Sequence, residues 1–330
     1  MTEKKEKEGK KEEIEVFVEQ TRQDVTKKIR EKYHEGEAEK IVGGKQLRGV
    51  LTILSWRATG GRDEDYEKIL ETAAAVEGMH GSSLILDDIF DMDKDRRGEL
   101  PVWMTEGVSD AVLTAHHVIT SALDTFLSRG VEVAKSIIGG WSEAVEGEKK
   151  DLGLVKRVGE EMLARETIPE EVYFNVIRKK TASFFSTAAK SGAQVAEAQK
   201  ELVDVLTNYG ENFGIAYQVA DDLVDIKRGK IEGAAVLPLL IAAKGESAVR
   251  NKLFSLLLGD KAEVGDFLKD MDINPREFLV THLKSYLKRA EEAAKSNLIP
   301  EGKWKNLLGE YPSYAVKLML REGEIKLKLG

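Results

Sequence analysis

Asp87-Asp88-Ile89-Phe90-Asp91 and Asp221-Asp222-Leu223-Val224-Asp225 repeat one acidic pattern, Asp-Asp-x-x-Asp, inside two otherwise apolar stretches. Residues four apart stack on one face of a helix, so Asp87 falls over Asp91 and Asp221 over Asp225. Like charges at that spacing cost a helix roughly 0.2–0.5 kcal/mol per pair, and more once they leave water. A fold that carries two such clusters on apolar helices has a use for cations between them. The donors are all oxygens, the chain has no Cys, and no His-rich spacing lies nearby, so the pattern points to Mg²⁺ rather than Zn²⁺. Mg²⁺ keeps waters and shares its shell with phosphate oxygens, which implies a di- or polyphosphate substrate.

The surrounding sequence reads as helix. Leu202, Val205, Leu206, Tyr209 and Phe213 follow the helical period, as do Ile69, Leu70, Ala73, Val76 and Leu84. Only 6 Pro interrupt 330 residues, and no alternating strand pattern stands out. Breaks are expected at Gly43-Gly44, Gly60-Gly61, Met92–Leu100, Gly139-Gly140, Gly229–Gly233 and Leu258–Asp260. With 42% hydrophobic residues a large core is available, and the expectation is a single all-α domain of ten or more helices over residues 14–330. Residues 1–13 form a Lys/Glu-rich extension without the apolar core of a signal peptide. The run Ala234–Ala243 is too short to span a bilayer and contains Pro238, so a soluble, cytoplasmic protein is expected. The formal net charge of -8 argues against a general basic field for nucleic acid. The absence of Cys suits a reducing compartment.

Three helical stripes are expected to converge on one site. His80, Leu84, Asp87 and Asp91 form the first, Gln218, Asp221 and Asp225 the second, and Tyr173, Ile177, Lys180 and Phe184 the third, with Thr181 beside Lys180. Two basic groups accompany them. Lys45 and Arg48 follow a glycine pair at a helix start, where backbone N–H groups favour anions, and Arg96-Arg97-Gly98 trails the first acidic cluster. Arginine forks suit diphosphate oxygens, and lysine acts as a point charge.

This order of motifs resembles the trans-isoprenyl diphosphate synthases, which include farnesyl and geranylgeranyl diphosphate synthases. The resemblance rests on Gly43-Gly44-Lys45-x-x-Arg48, Glu77-x-x-His80, the acidic run from Asp87 with Arg96-Arg97-Gly98, Lys180-Thr181, and Tyr217-Gln218-x-x-Asp221-Asp222-x-x-Asp225. It implies the all-α isoprenoid synthase fold, with a central cavity, and a homodimer. It also implies that Asp87, Asp91 and Asp221 hold three Mg²⁺ ions, with Mn²⁺ as a substitute, and that Asp88, Asp222 and Asp225 act through waters or supporting bonds. Arg96, Lys180, Thr181 and Gln218 would line the allylic diphosphate site. Lys45, Arg48, His80 and Arg97 would bind isopentenyl diphosphate. Met79, Ser82 and Ser83 would lie under the growing chain. Small side chains at 82 and 83 imply a product beyond farnesyl, geranylgeranyl or longer, unless the serines merely let helices pack closely.

The chain departs from the family pattern in places. After Asp225 the loop is short, and Ala234 stands where a later Lys is expected, so either Lys230, or less readily Lys227, takes the closing role, or both are solvated side chains. Leu100-Pro101 and Ala115-His116 also differ. Adjacent residues point to different helix faces, so His116 and His117 read as core or interface residues rather than a metal pair. A class I terpene cyclase shares the first motif, but Asp225 and Gly229 stand where its second metal motif requires Ser/Thr and Glu. A regulatory subunit that has lost catalysis is the remaining alternative, against which the intact aspartates and arginines count.

Overall fold

The computed structural model describes residues 2–163, 168–243, 247–258 and 264–329. Within them lie fifteen α-helices. These are α1 (Thr2–Lys32), α2 (Glu35–Ile41), α3 (Leu47–Ala58), α4 (Tyr66–Phe90), α5 (Val102–Thr105), α6 (Val108–Ser128), α7 (Val131–Leu163) and α8 (Glu170–Ile177). They continue as α9 (Ser183–Val195), α10 (Lys200–Arg228), α11 (Val236–Ala242), α12 (Ser247–Leu258), α13 (Val264–Asp270), α14 (Arg276–Ala294) and α15 (Lys303–Glu322). A π-helical turn, Arg178–Ala182, joins α8 to α9. No strand occurs among the described residues, and the all-α expectation holds. Part of the break expected at Leu258–Asp260 lies outside the described residues.

The chain divides into two compact units. The first comprises Met1–Gly139, Phe184–Thr207 and Ala294–Glu310; the second comprises Gly140–Ser183, Asn208–Ala293 and Tyr311–Gly330. In the first, α4 is buried on every side: all eight residues from Thr72 to Met79 are buried. Small residues make that possible. A Cβ on Gly78 would strike the Tyr33 ring, and one on Gly81 would strike Ile41, so α1 and the end of α2 approach α4 where side chains are missing. Trp56, Leu51, Leu54 and Phe126 complete this core, each apolar side chain contributing about 1.5–3 kcal/mol by its burial. The first acidic cluster therefore sits at the end of a helix whose middle is enclosed.

In the second unit, Tyr173, Phe174, Ile215, Val219, Leu223, Leu237, Leu279, Leu283 and Val316 belong to one buried cluster. Successive turns of α10 supply its apolar side through Ile215, Val219 and Leu223, and the same helix carries Asp221, Asp222 and Asp225. Both acidic clusters thus ride on helices fixed by core packing.

Two expectations about local structure are corrected. Gly139-Gly140 does not break the chain, since both lie within α7. Glycine costs a helix about 1 kcal/mol relative to Ala, a price the long flanking helical segments offset. The stripe Tyr173–Ile177–Lys180–Phe184 is not continuous either, because the π-helical turn falls between Ile177 and Phe184 and shifts the register of everything after it. The boundary at residue 13 lies inside α1, which is continuous from Thr2 to Lys32.

Candidate active site

The loop after α2 is shaped by backbone that only glycine adopts freely. Gly43 and Gly44 have φ of 125° and 65°, and Gln46 caps α3 in a left-handed conformation at φ 47°. Lys45 consequently lies in a turn ahead of α3 rather than inside its first turn. Gly44 is also bare for a second reason: a Cβ there would lie 2.5 Å from an Arg97 guanidinium nitrogen, and one on Gly43 would lie 2.9 Å away. Arg97 reaches this position from a tight hairpin turn. Arg97 and Gly98 both have positive φ, at 62° and 86°, and Arg96 and Glu99 exchange backbone hydrogen bonds of 2.8 and 3.3 Å. That is the geometry of a type I′ turn, for which Gly at the second central position is favoured.

Arg48 from α3, His80 from α4 and Arg97 from the hairpin turn gather beside this loop. Arg48 donates to His80 Nε2 at 2.8 Å and stacks over Phe185 at 4.4 Å. A guanidinium can only donate, so Nε2 accepts and the imidazole proton resides on Nδ1, 3.4 Å from the Ser83 hydroxyl. Burial, followed by the charges of Arg48, Arg97 and Arg96, holds His80 well below the ordinary imidazole range. His80 is neutral near pH 7 and contributes hydrogen bonds, not charge. Glu77, one turn earlier on α4, accepts the Gly49 N–H at 2.6 Å and so fastens the start of α3 to α4. Its burial raises its pKa against the opposing effects of Gly49 and Arg48.

At the first acidic cluster, Asp88 is buried and Asp87 half-buried, while Asp91 is exposed at the end of α4. Asp88 accepts two hydrogen bonds from Arg96, that from Nε at 2.7 Å. Burial works against the charge on Arg96, but Asp88, supported by Asp93 and Asp87, raises its pKa above the free value. The second cluster has the same layout. Asp222 is buried, whereas Asp221 and Asp225 are half-buried. Asp222 accepts from the Tyr173 hydroxyl and from Gln218 Nε2 at 2.9 Å, and Gln218 also donates to Asp221 at 3.3 Å. Thr181 donates to Gln218 Oε1 at 2.6 Å, which fixes the amide orientation. Burial first, then the charges of Asp221 and Asp225, push Asp222 up to about 7 despite the Tyr173 and Gln218 hydrogen bonds. Burial and Asp221 push Asp225 up to about 6, with Lys230 and Arg228 opposing. Carboxylates crowded on one helix face fit a hard divalent cation, which would relieve that repulsion.

Lys180 lies within the π-helical turn and forms ion pairs with Asp151 at 2.6 Å and Glu148 at 2.8 Å, both on α7. The turn fits tightly there, since a Cβ on Gly147 would strike the backbone of Lys179 and Lys180. Sequence reading missed Glu148 and Asp151. The available signal was their i, i+3 spacing on α7 with Gly147 before them, which is common on any polar helix. The structure also separates the two candidate loop lysines. Lys227 donates to the carbonyls of Gly323 and Glu324 at 2.9 and 2.8 Å, whereas Lys230 is exposed and lies close enough to Asp225 to lower its pKa.

The profile of one family, polyprenyl synthetase, matches residues 31–262, which span both acidic clusters and every basic group just described. The chain belongs to the polyprenyl synthetase family. Its membership bears out the resemblance to isoprenyl diphosphate synthases and makes the protein a prenyltransferase. A geranylgeranyl pyrophosphate synthase of Geoglobus acetivorans is 29% identical over 293 residues, covering 83% of this chain and 87% of that protein. A geranylfarnesyl diphosphate synthase of Methanosarcina mazei is 32% identical over 183 residues, 56% of this chain and 58% of its own. Among solved structures, a geranylgeranyl pyrophosphate synthetase from Pyrococcus horikoshii superposes with a TM-score of 0.72 at 25% identity, covering 93% of this chain and 98% of that one.

Two further expectations need comment. His116 and His117 are both exposed, which removes the core role considered for them; His117 bonds to Glu37 at 2.6 Å. Beneath the first cluster, Ser82 has no exposed surface and donates to the Gly78 carbonyl at 2.9 Å. Met79 is buried, and Ser83 is half-buried with its hydroxyl on the His80 carbonyl. No helix among the described residues is long and apolar enough to cross a membrane.

Proposed function

We propose that this prenyltransferase condenses isopentenyl diphosphate with an allylic prenyl diphosphate in a Mg²⁺-dependent, trans, head-to-tail step, and that its product is geranylgeranyl diphosphate or longer. One observation carries the reading: each Asp-Asp-x-x-Asp cluster buries and hydrogen-bonds its middle aspartate while its first and last stand at less buried positions on the same helix face. Such bracing orients the outer carboxylates as cation ligands.

Asp87, Asp91 and Asp221 are the proposed Mg²⁺ ligands, with Asp88, Asp222 and Asp225 supporting them. A Mg²⁺ ion held there would supply positive charge against the diphosphate, which departs when the allylic C–O bond ionises to an allylic cation. Lys180, Thr181, Gln218, Arg96 and Lys230 hold the allylic diphosphate; Asp151 and Glu148 keep the Lys180 ammonium in place, and the Thr181 bond presents the Gln218 amide. Lys45, Arg48 and Arg97 carry the charge for isopentenyl diphosphate, and neutral His80 orients Arg48. The isopentenyl double bond attacks the allylic cation, and the proton lost from the adduct passes to the departing diphosphate. The protein supplies alignment, charge and exclusion of water rather than a nucleophile. A homodimer is part of the proposal. Val131, Ile138, Val145 and Leu152 lie seven residues apart along α7 and are all exposed, an apolar stripe suited to a second copy.

The test is product analysis. Purified protein given farnesyl and isopentenyl diphosphates with Mg²⁺ should yield geranylgeranyl or longer chains after dephosphorylation, and chelator should abolish turnover. Turnover in excess chelator would sink the metal assignment; elongation that stops at farnesyl would sink the chain-length assignment. Ser83→Phe is the cleaner probe of length, because Ser83 is half-buried where Ser82 has no exposed surface, and the product should shorten.

A further inference from the structure

The geometry points to a second metal site, built from His34, Glu37 and His117, that takes a borderline-soft divalent ion of the Zn²⁺ class. It is separate from the acidic clusters and independent of the reaction proposed for them. Among the described residues these three form the one group of His and carboxylate side chains whose donor atoms all lie within 4.8 Å of one another. His34 is the residue before α2, and its carbonyl accepts the N–H groups of Glu37 and Ala38 at 2.9 and 2.8 Å, so backbone fixes His34 against Glu37. His117 arrives from α6 and places Nδ1 2.6 Å from Glu37 Oε1. The rings of His34 and His117 are nearly parallel, 8° apart, at 5.6 Å between centroids. The other Glu37 oxygen, Oε2, is buried without a hydrogen-bond partner, an acceptor that an ion would satisfy.

Two imidazoles and a carboxylate, with solvent reaching both histidines, leave a fourth position for water. Imidazole nitrogen selects Zn²⁺, Co²⁺ or Ni²⁺ over Mg²⁺, so the ion required by this site differs from that proposed for the aspartates. The joint it would clamp is already polar. One turn along each helix from Glu37 and His117, Lys40 reaches Thr114 Oγ1 at 3.5 Å and pairs with Glu106. An ion here ties α2 to α6 immediately ahead of the Gly43–Gln46 loop, so metal would stiffen the approach to Lys45 and Arg48.

Co²⁺ titration of the full chain in excess Mg²⁺ tests this. Visible ligand-field bands should saturate at one ion per chain, vanish on addition of Zn²⁺, and be lost in His117→Ala and His34→Ala. They should persist in Asp87→Ala and His116→Ala. Zn²⁺ should also raise the melting temperature of the wild type by at least about 2 °C and leave His117→Gln unmoved. Bands that survive His117→Ala, bands that excess Mg²⁺ removes, or a wild type whose melting Zn²⁺ does not raise would each overturn the site.

Discussion

The two acidic clusters share a spacing and differ in what steadies them. Asp88, in the middle of the first, is held by the cationic Arg96; Asp222, in the middle of the second, is held by the neutral Tyr173 and Gln218. The buried member of the first cluster therefore has a counter-charge of its own, while the buried member of the second is met by neutral dipoles, and the cations near that cluster, Lys230 and Arg228, act on Asp225. That difference explains why burial and neighbouring aspartates push Asp222 up to about 7 and Asp225 up to about 6. One sequence pattern is thus steadied electrostatically in two ways.

The largest expected effect lies on activity. Asp87→Asn and Asp221→Asn should each lower kcat by at least about 10²–10³-fold, measured at saturating Mg²⁺. If Asp221→Asn were the milder by far, the second cluster would not be a cation ligand set. Next comes pH. The folded, metal-free chain retains a proton on Asp222 up to about 7, while the unfolded chain releases it near 3.8. The native state then binds more protons between those values, so stability in chelator should fall as pH rises toward about 8, by up to about 4 kcal/mol. Urea midpoints at about pH 5 and pH 8 check the sign. If the proposed metal assignment holds, Mg²⁺ should reverse the trend, because metal ligands bind in the deprotonated form.

Arg96→Met should cost about 3 kcal/mol by leaving Asp88 buried beside an apolar side chain. Thermal melts of Arg96→Met alone and combined with Asp88→Asn distinguish this from lost packing, since the second change should restore part of the loss. The smallest effect belongs to Tyr173→Phe, which removes one hydrogen bond from Asp222 at about 1–2 kcal/mol and should raise the Asp222 pKa further. An equal cost for Arg96→Met and Tyr173→Phe would dissolve the contrast between charged and neutral bracing. Ser82→Phe belongs beside these, since a ring at a position with no exposed surface should cost about 1–3 kcal/mol by overpacking.

Much of this was legible beforehand, because helical period and acidic spacing are local. The residues from Ile69 to Leu84 and from Leu202 to Phe213 marked α4 and α10, and those helices carry the two clusters as expected. The grouping of Arg48, His80 and Arg97 followed from motif order and is present in the first unit. What stayed hidden depended on tertiary neighbours. No local pattern tells that Lys180 sits in a π-helical turn, or that α7 supplies Asp151 and Glu148 to it. Gly139-Gly140 looked like punctuation because propensity counts the glycines and not the helix on either side of them. His117 read as a core or interface residue because its neighbours, His34 and Glu37, lie some eighty residues away in sequence.

Lys227 and Arg228, at the end of the helix that bears the second cluster, donate to the carbonyls of Gly323, Glu324 and Glu322. The Glu322 oxygen is one that α15 leaves open at its C-terminus and the other two follow directly after it, where positive charge is favourable. The tail thereby serves as a doorstop for α10. Trimming the chain before Glu322, or fusing a bulky tag close behind it, would free three anchors at once and let the last turn after Asp225 fray, so a tail edit far along the sequence should be felt as weaker ion retention.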